Sequence, residues 1–417
     1  MRLQKLYFRN FRNIAELTIE PDGRLNFFIG ANAQGKTSII EAIHLLATLR
    51  SFRGAKVDDL IQNETMTGEI GCEIIQDDSI SRFQVVFERK DLLRKRSTQS
   101  AFINDKPCRS ALAYVSQRFE SFLKGFHAIV FNPSDHQLVR GEPSIRRSYL
   151  DQVIGSEDLD YLTALRRYKR ALEQRNAILK SPETSVRTIF QEFTQELVES
   201  GSEITLKRLE WLKRVNENIK PVLQRIAPTQ NSTDAFYSSK WLAKENGLAL
   251  GGDDLNRVQL PDLDPADALG RIRNRLAAEL TKLESAEWRA GTTLAGPHRD
   301  DWLFQIGSQA LKGYGSQGET RSVLLALKLV EIQMFRQATG LNPLLLLDDF
   351  SSELDRDRRT FLLEMLLETS LQVFVTTTED VEWITPREPI ALGTSGKKFR
   401  VSAGRAAEFI SSAESAN

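Results

Sequence analysis

Residues 30–38 read Gly-Ala-Asn-Ala-Gln-Gly-Lys-Thr-Ser, a complete GxxxxGK[ST] pattern, and the flanking residues decide its meaning. Upstream, RLNFFI (24–29) is a short β-forming run. Downstream, SIIEAIHLLATL (38–49) places Ile39, Ile43 and Leu46 at helical spacing. Strand, glycine-rich loop and helix, in that order, are the context in which the pattern wraps phosphate. The glycines let backbone N–H groups turn inward, Lys36 reaches the β- and γ-phosphates, and the Thr37 hydroxyl ligates Mg²⁺. Gly30, Asn32, Gly35 and Ser38 complete the expected nucleotide cradle. The cofactors implied are ATP and Mg²⁺.

A second stretch supplies the carboxylates such a loop requires. Leu344-Leu-Leu-Leu-Asp348-Asp349 fits a buried parallel strand whose C-terminal end faces the loop. Asp348 is placed to hold Mg²⁺ through water and Asp349 to polarise the attacking water. Read alone, the stretch is equally a strand ending in a solvated acidic turn.

GYGSQGETRS (313–322) runs straight into the apolar VLLALKLVEI. Ser316 or Thr320 can serve as a plain helix N-cap, or the N-terminal N–H groups can be aimed at an anion. The order along the chain favours the anion: this stretch, then LLLLDD, then Ser351-Ser-Glu-Leu-Asp355 and the helix RRTFLLEMLLE, is the order used by ABC-type ATPases. There the signature loop of one subunit caps the γ-phosphate held by another.

The totals exclude several alternatives. At 417 residues the chain is long enough for two or three domains, and 41% hydrophobic with 27% charged residues is ordinary soluble composition. No apolar run reaches the roughly 18 residues of a membrane span. MRLQKLYFRNF lacks the apolar core of a secretion signal, and Cys72 and Cys108 lie outside any CxxC. A cytoplasmic chain without membrane partners is expected. Lys plus Arg equal Asp plus Glu at 56 each, so any nucleic-acid binding must rest on local patches. Candidates are Arg94, Lys95 and Arg96, beside a hairpin turn that also carries Arg89, and the helical cluster Arg166, Arg167, Lys169 and Arg170. Equally, these are solvated faces. His298 has no spaced His or Cys partner and reads as structural.

The pattern β-rich, then helical, then α/β predicts one α/β domain interrupted by a helical insertion. The predicted boundaries are 1–140 for the N-terminal part of an ATPase head with the phosphate loop, 141–290 for a helical arm, and 291–417 for the C-terminal part of the head. EIGCEIIQ and SRFQVVFE form a predicted hairpin. GTTLAG, DWLFQI and LQVFVTTT are further predicted strands, and Leu206, Leu209, Leu212 and Val215 a predicted helical seam.

Together LYFRNFRN (6–13), GANAQGKTSIIEAI (30–43), FNPSDHQLVRGEPSIRRSYLD (131–151), LAGPHRDDW (294–302), GSQGETRS (315–322) and LLLLDDFSSELD (344–355) resemble the RecF family, bacterial recombination-mediator ATPases related to the SMC head domains. The resemblance implies an α/β, ABC-type, SMC-head-like P-loop ATPase with an inserted helical arm. It implies slow, DNA-stimulated ATP hydrolysis acting as a switch, an ATP-dependent homodimer, and binding to double-stranded DNA near single-strand gaps. It also implies cooperation with RecR and RecO in loading RecA during repair, replication and the SOS response. Carried over by position, Lys36 and Asp349 are catalytic, Thr37 and Asp348 hold Mg²⁺, and Ser316, Gln317 and Gly318 cap a neighbour's nucleotide. Arg12 is a further nucleotide contact.

Glu319 departs from the Gln usual in the family signature, and Thr376-Thr377-Thr378 stands where many ABC proteins carry His. A hydroxyl of this run must then sense the γ-phosphate, without the sequence singling out which one, and Thr377 is a candidate nucleotide contact. The alternatives are another SMC/ABC-type ATPase with a different DNA-processing role and, from a different class, a P-loop kinase or GTPase. A kinase or GTPase leaves the paired signature and SELD stretches unexplained.

Overall fold

The computed structural model describes residues 1–76, 79–91, 96–116, 126–180, 187–230, 232–244, 256–260, 264–307, 309–349, 358, 361, 370–378 and 396–409. It divides into two compact units, Met1–Asp135 with Ile332–Asn417, and His136–Glu331.

The first unit holds two six-stranded sheets. One is antiparallel, in the order Ile14–Ile19, Arg2–Phe11, Thr67–Gln76, Ser79–Asp91, Arg96–Ile103, Lys106–Pro107, and contains the predicted hairpin. The other runs Arg405–Glu408, Lys397–Ser402, Leu25–Ile29, Val373–Thr377, Leu344–Leu347, Ala128–Phe131, all parallel except its first strand. All four residues of Leu344–Leu347 are buried, as expected of a parallel strand covered on both faces. Helix Lys36–Thr48 packs against strands of both sheets, and its side chains are buried all round, with only Thr37 and Thr48 excepted. That explains why its apolar residues exceed a single stripe. Phe28, Ile43, Phe87 and Leu346 belong to the resulting core.

The second unit is built from helices Pro143–Glu157, Leu159–Leu179, Arg187–Ile226 and Pro265–Ala290, with the antiparallel sheet Arg257–Val258, Thr233–Ser238, Asp301–Ile306, Gln309–Ala310. Asp158 and Asp264 cap their helices by accepting from the amides of Tyr161 and Ala266. Leu206, Leu209, Leu212 and Val215 are all buried along the 40-residue helix, as the seam required. This unit extends past the expected limit at residue 290 to Glu331, because Asp301–Ile306 pairs with Thr233–Ser238.

GTTLAG (291–296) is not a strand. Gly291 closes the preceding helix at φ 64°, and the amides of Thr292, Leu294 and Thr293 go to the Glu287 carbonyl, the Glu287 carboxylate and Asn176. No donor remains in those three residues for a sheet ladder.

GPHRDD (296–301) lies at the centre of a buried polar network. Arg146 makes a bidentate pair with Asp301 at 2.7 Å. Asp300 accepts from Tyr237 at 3.0 Å and from the Trp241 indole at 3.0 Å. Arg208 donates to Asp151 at 2.8 Å and to the Pro297 carbonyl at 2.9 Å. His298 shares a hydrogen bond with the Tyr168 hydroxyl at 2.5 Å. Burial, aided by the nearby Arg299 charge and opposed by the hydrogen bond to the Thr293 carbonyl, pushes its pKa down to about 4.

The sign for His298 is that of a base buried neutral. The unfolded chain binds the extra proton, so its contribution to stability is complete above about pH 6.5 and is lost as pH falls towards 4. Over that interval, His298→Gln is expected to flatten the pH dependence of urea-unfolding free energy by on the order of 3 kcal/mol at most. Parallel profiles for the two proteins would contradict this.

Candidate nucleotide site

The loop between strand Leu25–Ile29 and helix Lys36–Thr48 needs glycine at two places for different reasons. A Cβ on Gly30 would lie 2.2 Å from the Val401 carbonyl of the neighbouring strand. Gly35 has φ 113°, a region that side chains avoid. The loop is pinned from outside: the Gln34 side chain accepts from the Ala403 amide at 2.7 Å and its carbonyl from the Gly404 amide at 2.9 Å. Ser38 donates to Asn13 at 3.0 Å. Gly35 brings no side-chain cap to the helix, so first-turn N–H groups remain for an anion. Lys36 curls over the loop and donates to the carbonyls of Gly30 at 2.6 Å and Ala31 at 2.8 Å. Burial lowers its pKa, and the nearby Asp349 and Asp348 oppose that shift.

Strand Val373–Thr377 lies between the loop strand and Leu344–Leu347, so three distant stretches end side by side. Asp348 accepts on one oxygen, Oδ1, from Thr37 at 2.9 Å and from Thr376 at 2.8 Å. Burial raises the pKa of Asp348, and these two hydroxyls oppose the rise. Asp349 turns at φ 46° and donates its amide to the Thr376 hydroxyl at 2.8 Å.

These residues fit a Mg-nucleotide. The Thr37 proton is committed to Asp348, which leaves the hydroxyl lone pairs to a cation. Lys36 and the uncapped helix terminus supply positive charge for phosphate. Thr377 differs from expectation. It is fully buried, its carbonyl accepts from the Gly30 amide, and Thr376 is the threonine that lines the cavity. Alternation along the strand is the reason: adjacent residues face opposite ways.

The open cavity, about 850 Å³, extends from the loop to a wall formed by Arg12, Arg53, Asp59 and residues 61–64. Arg12 makes a bidentate contact with the buried Glu41, at 2.9 and 2.7 Å, and donates to the Asp59 carbonyl at 2.9 Å. Ser51 donates to the same carboxylate at 2.5 Å. Arg89, expected on a basic turn, instead turns its side chain inward, leaving it 8% exposed. It pairs with Asp58 at 3.0 Å and donates to the carbonyls of Asp58, Ile61, Gln62 and Thr65, holding the segment that forms the wall.

Sequence reasoning missed Glu41, Asn13, Asp59 and residues 61–64. Glu41 carried a signal, since an acid four residues after Thr37 on an otherwise apolar helix requires a buried partner.

In the second unit, Ser316 and Glu319 form a capping box at helix Gln317–Thr339. The Ser316 amide donates to the Glu319 carboxylate at 2.8 Å and the Glu319 amide to the Ser316 hydroxyl at 3.1 Å. Ser316 and Gln317 are exposed and Gly318 is half-buried.

Of the basic candidates, Arg96, Arg166, Lys169 and Arg170 are exposed. Arg167 is largely neutralised by Glu196 at 2.6 Å, Glu203 at 3.5 Å and Glu199 at 3.7 Å, and Lys169 faces Asp151 at 3.8 Å. The helical cluster is less cationic than its composition. Arg94, Lys95 and the Ser351–Asp355 stretch lie outside the described residues.

Gly30→Ala must displace the Val401 carbonyl. Its ATP affinity by calorimetry is expected to fall at least about tenfold, a loss of roughly 1.4 kcal/mol. Unchanged affinity would contradict the tight approach.

A model of the family described as RecF/RecN/SMC N terminal domain matches residues 2–392. The chain is 33% identical over 381 residues to the DNA replication and repair protein RecF of Geotalea daltonii, covering 91% of this chain and 93% of that one. Among solved structures, the recombination mediator protein RecF-ATP in the RecFOR pathway superposes with a TM-score of 0.79 at 25% identity, over 98% of each chain. The Smc head domain of Pyrococcus furiosus, bound to the C-terminal domain of ScpA, gives 0.51 at 14%, over 100% of this chain and 97% of that one, a likeness of fold alone. With the family model spanning residues 2–392 and a relative 33% identical over 91% of this chain, the chain belongs to the RecF family of the RecF/RecN/SMC proteins.

Proposed function

We propose that this chain is an ATP-driven DNA clamp of recombinational repair and replication. The observation that carries the reading is the convergence of Thr37, Asp348 and Thr376 beside an uncapped phosphate loop, in a chain whose relative is named a DNA replication and repair protein. Family membership implies ATP hydrolysis; slow turnover stimulated by DNA belongs to the proposal. Lys36 and the first-turn amides bind the phosphates, Thr37 and Asp348 hold Mg²⁺, and Asp349 takes a proton from the attacking water. Mg²⁺, when bound, neutralises charge on the β- and γ-phosphates. Arg12, fixed by Glu41, contacts the nucleotide.

Ser316, Gln317 and Gly318 act on a second copy's nucleotide, so ATP brings two copies together. Arg96, Arg166 and Arg170 meet backbone phosphate of duplex DNA near single-strand gaps. RecR is the immediate protein partner, with RecO and RecA acting downstream in the cytoplasm and the SOS response.

Two variants separate the halves of this mechanism. Lys36→Ala is expected to abolish ATP binding in a filter assay. Ser316→Arg is expected to retain binding while losing the ATP hydrolysis that duplex DNA stimulates in the parent protein. A Ser316→Arg protein with full DNA-stimulated hydrolysis would overturn capping by a second copy.

A further inference from the structure

The Thr376 hydroxyl touches both acidic residues at the end of the Leu344–Asp349 stretch. It donates to Asp348 Oδ1 at 2.8 Å and accepts from the Asp349 amide at 2.8 Å. One oxygen therefore orients the side chain of one acid and the backbone of the next. The residue is almost fully buried and sits in strand register with Phe28 of the loop strand, while Val375 before it pairs with Leu347. Its own backbone is thus held from both sides.

The second contact has a specific consequence. Asp349 occupies the left-handed region at φ 46°, a conformation a non-glycine residue keeps only when its surroundings hold it. The bond from its amide to Thr376 is one such restraint, and it sets the direction in which the Asp349 side chain leaves the strand end. The first contact shares Oδ1 with Thr37, so Thr376 and the loop threonine constrain the Asp348 carboxylate from two sides. A hydroxyl engaged with both acids in this way acts through them and does not point at a phosphate.

We propose that Thr376 is a positioning residue for ATP hydrolysis, whose hydroxyl locks the carboxylate of Asp348 and the backbone turn of Asp349 as one unit against the loop strand. The inference rests on the reading of Asp348 and Asp349 as the Mg²⁺-holding and water-activating acids. Thr376→Val keeps the shape and removes both bonds; Thr376→Ser keeps the hydroxyl.

The experiment measures three quantities for the parent protein and both variants: fluorescent-nucleotide affinity without Mg²⁺, the Mg²⁺ concentration that half-saturates its effect on nucleotide binding, and single-turnover hydrolysis. For Thr376→Val, metal-free affinity is expected to stay within about threefold, since Lys36 and the loop are untouched. The Mg²⁺ requirement is expected to rise about 10- to 100-fold, the usual cost of losing a partner behind a metal ligand. Hydrolysis is expected to fall roughly 100-fold, as for a reacting group misplaced by about an ångström.

Thr376→Ser is expected to restore both quantities to within about tenfold of the parent. A Thr376→Val protein with the parent's Mg²⁺ requirement and rate would overturn the proposal, as would a serine variant as impaired as the valine one. Parent protein that binds Mg-ATP without hydrolysing it would instead overturn the hydrolysis reading, and the Mg²⁺ titration would still decide the role of Thr376.

Discussion

A single oxygen, Oδ1 of Asp348, accepts hydrogen bonds from two hydroxyls, and the arrangement of the first unit brings them together. Thr37 is 311 positions away along the chain and Thr376 is 28 away. They meet because strand Val373–Thr377 is inserted between the loop strand and the strand of four leucines. A parallel sheet so assembled must be covered on both faces, and helix Lys36–Thr48 supplies cover on one side while packing on the antiparallel sheet with its other. The helix that presents Lys36 and Thr37 to the cavity is thus also the filling of the core. Burial and chemistry cannot be varied separately there.

The second unit solves a different problem. Its helices carry many arginines, and Arg146, Arg175 and Arg208 are turned inward. Arg175 pairs with Glu287 at 2.6 Å, Arg208 with Asp151 at 2.8 Å and Arg146 with Asp301 at 2.7 Å. Buried pairs of this kind contribute little net stability over apolar packing, but breaking one leaves an uncompensated charge. They tie helix to helix at Arg175–Glu287 and Arg208–Asp151, and helix to GPHRDD at Arg146–Asp301. The positive charge they consume is unavailable at the surface, in a chain whose Lys plus Arg already only equal its Asp plus Glu.

The phosphate loop, the leucine strand with its acids, the antiparallel hairpin and the helical seam were all legible, because each is a local pattern with its own period or motif. Other features were not. Arg89 and Arg167 read as surface charge, yet only tertiary structure brings Asp58 beside one and three glutamates beside the other. GTTLAG reads as a strand by composition, but its amides are taken by Glu287 and Asn176, groups distant or out of phase in sequence. Thr377 and Thr376 are chemically identical, and only the phase of the strand distinguishes them. Glu319, a departure from the family signature, has a local structural use as the partner of Ser316. The wall of the cavity at Asp59 and residues 61–64 left no motif at all, since backbone carbonyls form much of its attachment.

Nucleotide bound by the loop is proposed to join two copies of the chain through GYGSQGETR. The most direct test is the solution mass of Asp349→Asn by light scattering, with and without Mg-ATP. This change keeps the backbone amide that Thr376 accepts from and removes the acid assigned to activate water. A doubling of mass that requires Mg-ATP is the expected result. A monomer in both conditions, with ATP shown to be bound, would contradict the claim and return Ser316 to the role of a helix cap.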